Sequence, residues 1–241
     1  MLINHPTKLK LSIFVLIPLI WIISCQQDPC ENVFCNEGTC EEGICQCPPG
    51  FTGQNCETAL SIQQRLNDGK ESPIELYEQG ISLDSLYGKF YEGGLIFYLD
   101  IDDQIPTLEG MVAAPVDQDT AIWGCYPVFT AANDLSIGSG FQNTQAILED
   151  CSTDNTAARI CMDLELNGKK DWFLPSKEEL MAMYENLNRN GYGDFLTGRY
   201  WSSSEVGFNF SAWAIPFGEA FSNPMIDFKE NIEHVRAVRN F

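Results

Sequence analysis

The sequence predicts an α+β chain in two unlike parts, a small disulfide-rich module followed by a larger domain of antiparallel strands and two or more helices. Three observations carry this. Seven of the ten cysteines are crowded between Cys25 and Cys56, whereas Cys125, Cys151 and Cys161 are scattered through the remainder. From about Tyr91 the chain runs in short β-rich stretches separated by turn residues. Ser176-Lys177-Glu178-Glu179 reads as a capping box, and Leu180, Met183, Tyr184 and Leu187 continue it as the buried stripe of a helix ending before Gly191.

The first 24 residues read as a targeting segment. Lys8 and Lys10 precede an apolar run from Leu11 to Ile23, interrupted only by Ser12 and Pro18. A bilayer span needs about 20 apolar residues, so the run fits a signal-peptide core better than a membrane helix. Its ending, Ile22-Ile23-Ser24-Cys25, resembles the cleavage box of bacterial lipoproteins, which implies a lipid on Cys25 and a membrane partner through it. Several acyl chains at about 0.8 kcal/mol per buried CH2 make a stable anchor where one would be marginal. Residues 25–29 are then a short lipidated tether, and the expected location is the bacterial cell envelope, at the outer membrane or cell surface.

Charge narrows the partners. With 34 acidic residues against 14 Lys and Arg the formal net charge is -20, and no basic run exists. Nucleic acid and anionic membrane surfaces both reward Lys/Arg clusters, so neither is an expected partner.

Residues 30–57 hold six cysteines spaced C-x4-C-x4-C-x4-C-x-C-x8-C from Cys30 to Cys56. In an exported stretch this short, such density stands in for a hydrophobic core, and spacing alone leaves fifteen connectivities open. The Cys45-Gln46-Cys47 step and the ending Cys47-Pro48-Pro49-Gly50-Phe51-Thr52-Gly53-Gln54-Asn55-Cys56 resemble the EGF-like family. The resemblance implies pairings Cys30–Cys40, Cys35–Cys45 and Cys47–Cys56. Only four residues separate Cys40 from Cys45, so the central hairpin must be very short. Gln26-Gln27-Asp28-Pro29 does not match the calcium-binding members, and no nearby histidine points to zinc.

Residues 58–87 are expected to be a helical spacer, with one helix from Ala59 to Leu66 and a second from Pro73 to Gln79 capped by Ser72. Beyond it, Gly94 to Leu99 is an apolar strand with Met111 to Ala114 as its partner across a turn. Thr144–Asp150 and Asn155–Leu166 read as helices. Tyr200–Ser204, Ser211–Phe217, Phe221–Phe228 and His234–Val238 read as antiparallel strands closing on the first.

Three motifs in residues 88–241 carry a second resemblance: Asp171-Trp172-Phe173-Leu174-Pro175-Ser176, Tyr200-Trp201-Ser202-Ser203-Ser204-Glu205, and His234-Val235-Arg236-Ala237-Val238-Arg239. In this order they resemble the family named after the C-terminal domain of the Legionella collagen-like protein. The resemblance implies a C-type lectin-like α+β fold and a ligand-binding rather than catalytic role, with an extracellular glycan or protein as partner. The sequence departs from the founding adhesin in lacking a collagen tract and the sugar-binding triplets of calcium-dependent lectins. Its acidity also opposes sulfated sugars.

The expected contact surface is Trp201, Ser203, Glu205, Trp213 and Glu219, because aromatic rings beside hydroxyl and carboxylate groups suit stacking on a sugar face. The competing reading of Trp172, Leu174, Trp201, Trp213 and Phe217 is core packing. One of Arg236 and Arg239 is expected to pair with a carboxylate such as Glu205. No enzyme is expected: His5 leaves with the signal peptide, His234 reads as a plain strand-end histidine, and Gly138-Ser139-Gly140 lacks the strand-to-helix setting of a serine nucleophile. No cofactor or metal is expected, and the acidic loops around Asp100, Asp102, Asp103, Asp117 and Asp119 read as solvated. A Cys125–Cys151 disulfide is expected, since both lie at element ends, with Cys161 unpaired on the apolar face of Ala157, Ala158 and Leu164. The alternative function is a structural or assembly subunit of an envelope complex.

Overall fold

The computed structural model describes residues 28–207, 210–218 and 222–241. The expected signal segment, the expected lipid site Cys25 and the candidate contact Glu219 lie outside the described residues.

In the module, β1 (Thr39–Glu41) and β2 (Ile44–Gln46) form a hairpin with Cys40 opposite Cys45. Its two turn residues, Glu42 and Gly43, both have positive φ, the backbone that a two-residue hairpin with natural strand twist requires. Disulfides join Cys30 to Cys40, Cys35 to Cys45 and Cys47 to Cys56. Phe34 and Ile44 stay in solvent, so the bridges and not a core hold these residues. A second small ribbon, β3 (Phe51–Thr52) with β4 (Thr58–Ala59), leads into the body.

Three short helices follow: α1 (Ile62–Asn67), α2 (Pro73–Glu78) and α3 (Leu83–Leu86). Ser61 with Gln64, and Ser72 with Glu75, form reciprocal capping boxes. These residues are not a detached spacer. Leu66, Leu76, Leu86 and Tyr87 join Trp123, Trp172 and Trp201 in one apolar cluster. Helices of four to six residues cannot stand alone, and burial of this leucine row supplies what propensity cannot. Arg65 fixes the junction by a two-point pairing with Glu71, Nε to Oε2 at 2.7 Å and Nη2 to Oε1 at 2.5 Å.

The body is α+β with two mostly antiparallel sheets. The first contains β5 (Phe90–Tyr91), β6 (Gly94–Leu99), β7 (Gly110–Ala113) and a C-terminal strand (Val238–Asn240), in the order C-terminal strand, β7, β6, β5. Between the sheets in sequence lie β8 (Thr120–Ala121), α4 (Gly140–Asp150), α5 (Ala157–Met162) and α6 (Lys177–Asn186). The second sheet is ordered β11-β10-β9-β12-β8, where β9 is Gly198–Glu205, β10 Ser211–Phe217, β11 Met225–Phe228 and β12 Glu233–His234. β12 lies parallel to β9, with His234 beside Tyr200.

This corrects the expected closure of all C-terminal strands on β6. Only Val238–Asn240, the last strand β13, enters that sheet, through β7. Strand pairing lapses at residues 235–237, where Arg236 is drawn inward to Asp117 and the chain crosses from one sheet to the other. A second core lies under α6, whose Leu180, Met183 and Tyr184 meet Phe97, Tyr200, Ile215 and Phe217, with the Tyr184 and Phe217 rings edge to face at 5.4 Å. The helix expected over 155–166 is shorter, because Thr156 caps it, Asn155 has a left-handed backbone and Asp163 closes its last turn.

Candidate functional site

The serine-rich strand β9 is an internal scaffold. Trp201 is fully buried and donates from Nε1 to the Ala121 carbonyl at 2.9 Å. Ser203 is also fully buried, its amide donating to the Pro175 carbonyl at 2.7 Å. Ser204 Oγ accepts from the Lys177 amide at the start of α6 and donates to the Asp134 carbonyl. Trp213 is half-buried on β10, with the Lys177 ammonium 5.1 Å above its ring. The structure therefore removes Trp201, Ser203 and Glu205 from the expected contact surface: β9 lies within its sheet between two cores and is buried from Tyr200 to Glu205.

Glu205 instead belongs to a buried ion pair. Neither its side chain nor that of Lys229 is exposed, and the two are in direct contact. The second carboxylate oxygen accepts from the Thr130 amide at 3.0 Å and its hydroxyl at 3.2 Å. Lys229 also donates to the Val128 carbonyl at 2.8 Å and sits 4.5 Å from the Trp123 ring centroid. Burial pulls the Lys229 ammonium below its usual range. One arginine was expected at a carboxylate such as Glu205, and both pair with other carboxylates: Arg236 binds Asp117, which also accepts from the Tyr200 hydroxyl, and Arg239 makes a two-point contact with Asp171.

This pair pins the 128–130 loop to the ends of β9 and β11, and the outer surface of that junction is apolar. Tyr126, Phe129, Phe210, Phe228 and Ile232 are exposed, Phe228 at 63% and Ile232 at 66%. They are not one patch, because with Ser211 opposite Phe228 and the Lys229 amide bonded to Phe210, strand alternation turns Phe228 to the side of β10 and β11 away from Lys229. Tyr126 and Phe210 rings lie 5.4 Å apart, the Lys229 amide donates to the Phe210 carbonyl, and the Asn231 amide donates to the Phe228 carbonyl. Ile226, also exposed, stands opposite Trp213 across β10 and β11. Beside Tyr126 runs a groove of about 340 Å³ lined by Ile122, Gly124, Cys125, Thr153 and Glu230. The Cys125–Cys151 disulfide forms its wall, while Cys161 is a buried free thiol pushed up by desolvation. Apolar side chains grouped on a surface mark interaction sites, whereas scattered single ones need no explanation.

Two carboxylates elsewhere are raised above their usual range. Glu179 is fully buried and its carboxyl is pushed up to about 7 by desolvation, although it accepts from the amides of Gly138, Gly140 and Ser176. It joins the starts of α4 and α6, and a Cβ on Gly140 would fall 2.2 Å from its Oε2. Glu233 is pushed up to about 7 by burial and by Asp227 beside it, with Arg199 bonded to both. Asp100 accepts from the Ile105 amide and the Tyr98 hydroxyl, and His234 stacks on Tyr200 at 5.0 Å. Among the described residues no three His, Cys, Asp or Glu side chains are grouped to hold a metal ion, and no helix is long and apolar enough to cross a membrane.

Sequence reasoning missed Lys229 and the aromatic loop it holds. The available signal was Tyr126-Pro127-Val128-Phe129, an apolar run in a segment without periodicity. No family model matches this chain, and no curated protein matches it. Among solved structures the chain is similar to a fimbrial protein from Bacteroides ovatus at 13% identity and a TM-score of 0.41, over 70% of this chain and 41% of that one. It thus spans less than half the length of that protein.

Proposed function

We propose that this chain is a lipid-anchored, non-catalytic protein of the bacterial cell envelope that presents its two-sheet body outward for adhesion or for attachment to another envelope component. The observation that carries the reading is the exposed aromatic loop of Tyr126 and Phe129, with Phe210 packed on Tyr126, held in place by the Glu205–Lys229 pair. A buried ion pair is a poor source of net stability, since desolvation offsets most of its attraction. Here it fixes a loop that has little apolar burial of its own, which is what a preorganised contact surface needs. The membrane partner is reached through a lipid on Cys25, and the buried cations Arg236, Arg239 and Lys229 are each engaged in a structural pairing with Asp117, Asp171 and Glu205.

The test is whole-cell binding to a panel of glycans, matrix proteins and envelope extracts, comparing wild type with Tyr126→Ser/Phe129→Ser. Both positions are exposed, so the melting temperature should hold within about 2 °C, as surface changes cost at most about 0.5 kcal/mol. Loss of binding to a target retained by the wild type supports the reading. Full retention by the double variant removes this loop from it.

A further inference from the structure

We infer that the cysteine-rich module is a second membrane contact, seated on a zwitterionic lipid surface through Phe34 and Ile44. This rests on the proposed lipid on Cys25 and adds where the module meets the bilayer. Phe34, at 74%, is the most exposed large apolar side chain among the described residues, and Ile44 stands at 66%. The two belong to one patch. They line a single groove of about 360 Å³, and each neighbours in sequence one cysteine of the Cys35–Cys45 bridge, whose Cα atoms are 5.5 Å apart. The bridge thus holds two apolar side chains side by side in solvent.

The chain enters the module at this same patch. The Cys30 amide donates to Asp28 Oδ1, the Glu31 amide to the Asp28 carbonyl and the Val33 amide to the Cys30 carbonyl, so residues 28–33 turn directly into the groove wall at Asn32 and Phe34. Pro29 packs on the hairpin turn beside Ile44. A Cβ on Gly43, itself in the groove wall, would fall 3.3 Å from the Pro29 carbonyl oxygen and 3.7 Å from Pro29 Cβ. Asp28 is three residues from Cys25, and a chain spans at most about 3.6 Å per residue, so the edge carrying the groove is held within about 11 Å of the lipidated position. A tether this short gives the contact a high effective concentration, so two apolar side chains suffice that would not recruit a free protein.

The chemistry of the patch selects the kind of lipid. No charged side chain among the described residues lines the groove, although residues 28–57 carry six acids, Asp28, Glu31, Glu37, Glu41, Glu42 and Glu57, and no Lys or Arg. A second copy would bring these carboxylates against their like, and an anionic bilayer would repel them. Around Phe34 and Ile44 the exposed Asn32, Gln54 and Asn55 offer primary amides, which both donate and accept hydrogen bonds. Apolar tips entering about 5–10 Å into the headgroup and acyl boundary, with uncharged polar groups left at headgroup level, make an interfacial contact.

The full lipidated protein is reconstituted into phosphatidylcholine vesicles with an environment-sensitive fluorescent amino acid at Asn32, in the groove, or at the exposed Phe90 of the body as control. Flotation of the vesicles reports the anchor, and quenching by acyl-brominated phosphatidylcholine reports the seat. The probe at 32 should shift to shorter wavelength and be quenched, more by bromine near the headgroup end of the chain than near its methyl end, while the probe at 90 stays unquenched. Phe34→Ser/Ile44→Ser should abolish the quenching at 32 and leave flotation intact. Phosphatidylglycerol in place of phosphatidylcholine should weaken the quenching. Flotation without quenching at 32 overturns the seat and leaves the anchor standing, whereas failure to float overturns both. Quenching at 32 and 90 alike, quenching kept by the serine variant, or stronger quenching on phosphatidylglycerol also overturns the inference. A shift at 32 that needs added envelope protein overturns it in favour of a polypeptide partner.

Discussion

Replacing Lys229 by Met tests whether the buried pair organises the contact loop. The substitution keeps side-chain length and apolar volume but removes the contact to Glu205, the donation to the Val128 carbonyl and the position over the Trp123 ring. Glu205 would keep only the Thr130 amide and hydroxyl as donors, in a site without solvent. Stranding one member of a buried pair costs about 3–5 kcal/mol. At about 2–4 °C per kcal/mol for a chain of this size, the melting temperature should fall by about 6–20 °C. Adding Glu205→Leu should recover most of the loss, because an apolar replacement of both partners needs no desolvation. Denaturant unfolding of the three proteins measures this, and limited proteolysis reports whether the 126–130 loop opens. A single variant within about 1 kcal/mol of wild type, or a double variant no better than the single, would refute the reasoning.

Glu179 sets a pH dependence. Its folded-state carboxyl is raised from 4.5 to about 7, so its contribution is fully present below the unfolded value and is lost as pH rises through about 7. The shift bounds the effect at about 3 kcal/mol, and urea midpoints at pH 5 and pH 8 should show wild type losing that margin relative to Glu179→Gln. Leu76 is fully buried in the main core, and Leu76→Ala should cost about 2–5 kcal/mol in the unfolding of the whole body. A calorimetric trace with an unchanged main transition would return residues 58–87 to a spacer. Intact-mass analysis after detergent extraction should find a mature N-terminus at Cys25 carrying acyl chains; an unmodified thiol there would remove the anchor.

Local signals in the sequence were accurate and non-local ones were not. The box at Ser176 and Glu179 announced α6, because capping depends on residues three apart. That the same carboxylate also holds Gly138 and Gly140 could not be read, since those partners are some 40 residues away. β6 and β7 were legible as apolar runs. Their C-terminal partner was not, because the change of sheet at 235–237 follows from Arg236 reaching Asp117 across 119 residues. The tryptophan and serines of β9 illustrate why site prediction failed: aromatic and hydroxyl side chains suit a sugar face and a crowded strand equally well. Burial, which decides between them, is set by the cores on either side. The exposed rings were invisible for the converse reason, since Tyr126 and Phe210 meet from separate segments and neither segment carries a pattern of its own.

The central claim is that the exposed loop of Tyr126 and Phe129 is where this protein meets its partner. The most direct measurement places a photo-activatable phenylalanine analogue at Tyr126, at Phe129 and at the exposed control Tyr192, which lies against Gly88 instead, and irradiates intact cells. The account predicts one defined adduct from positions 126 and 129, lost in the presence of excess unmodified protein, and none from 192. No adduct at 126 and 129, or equal adducts at all three positions, would contradict it.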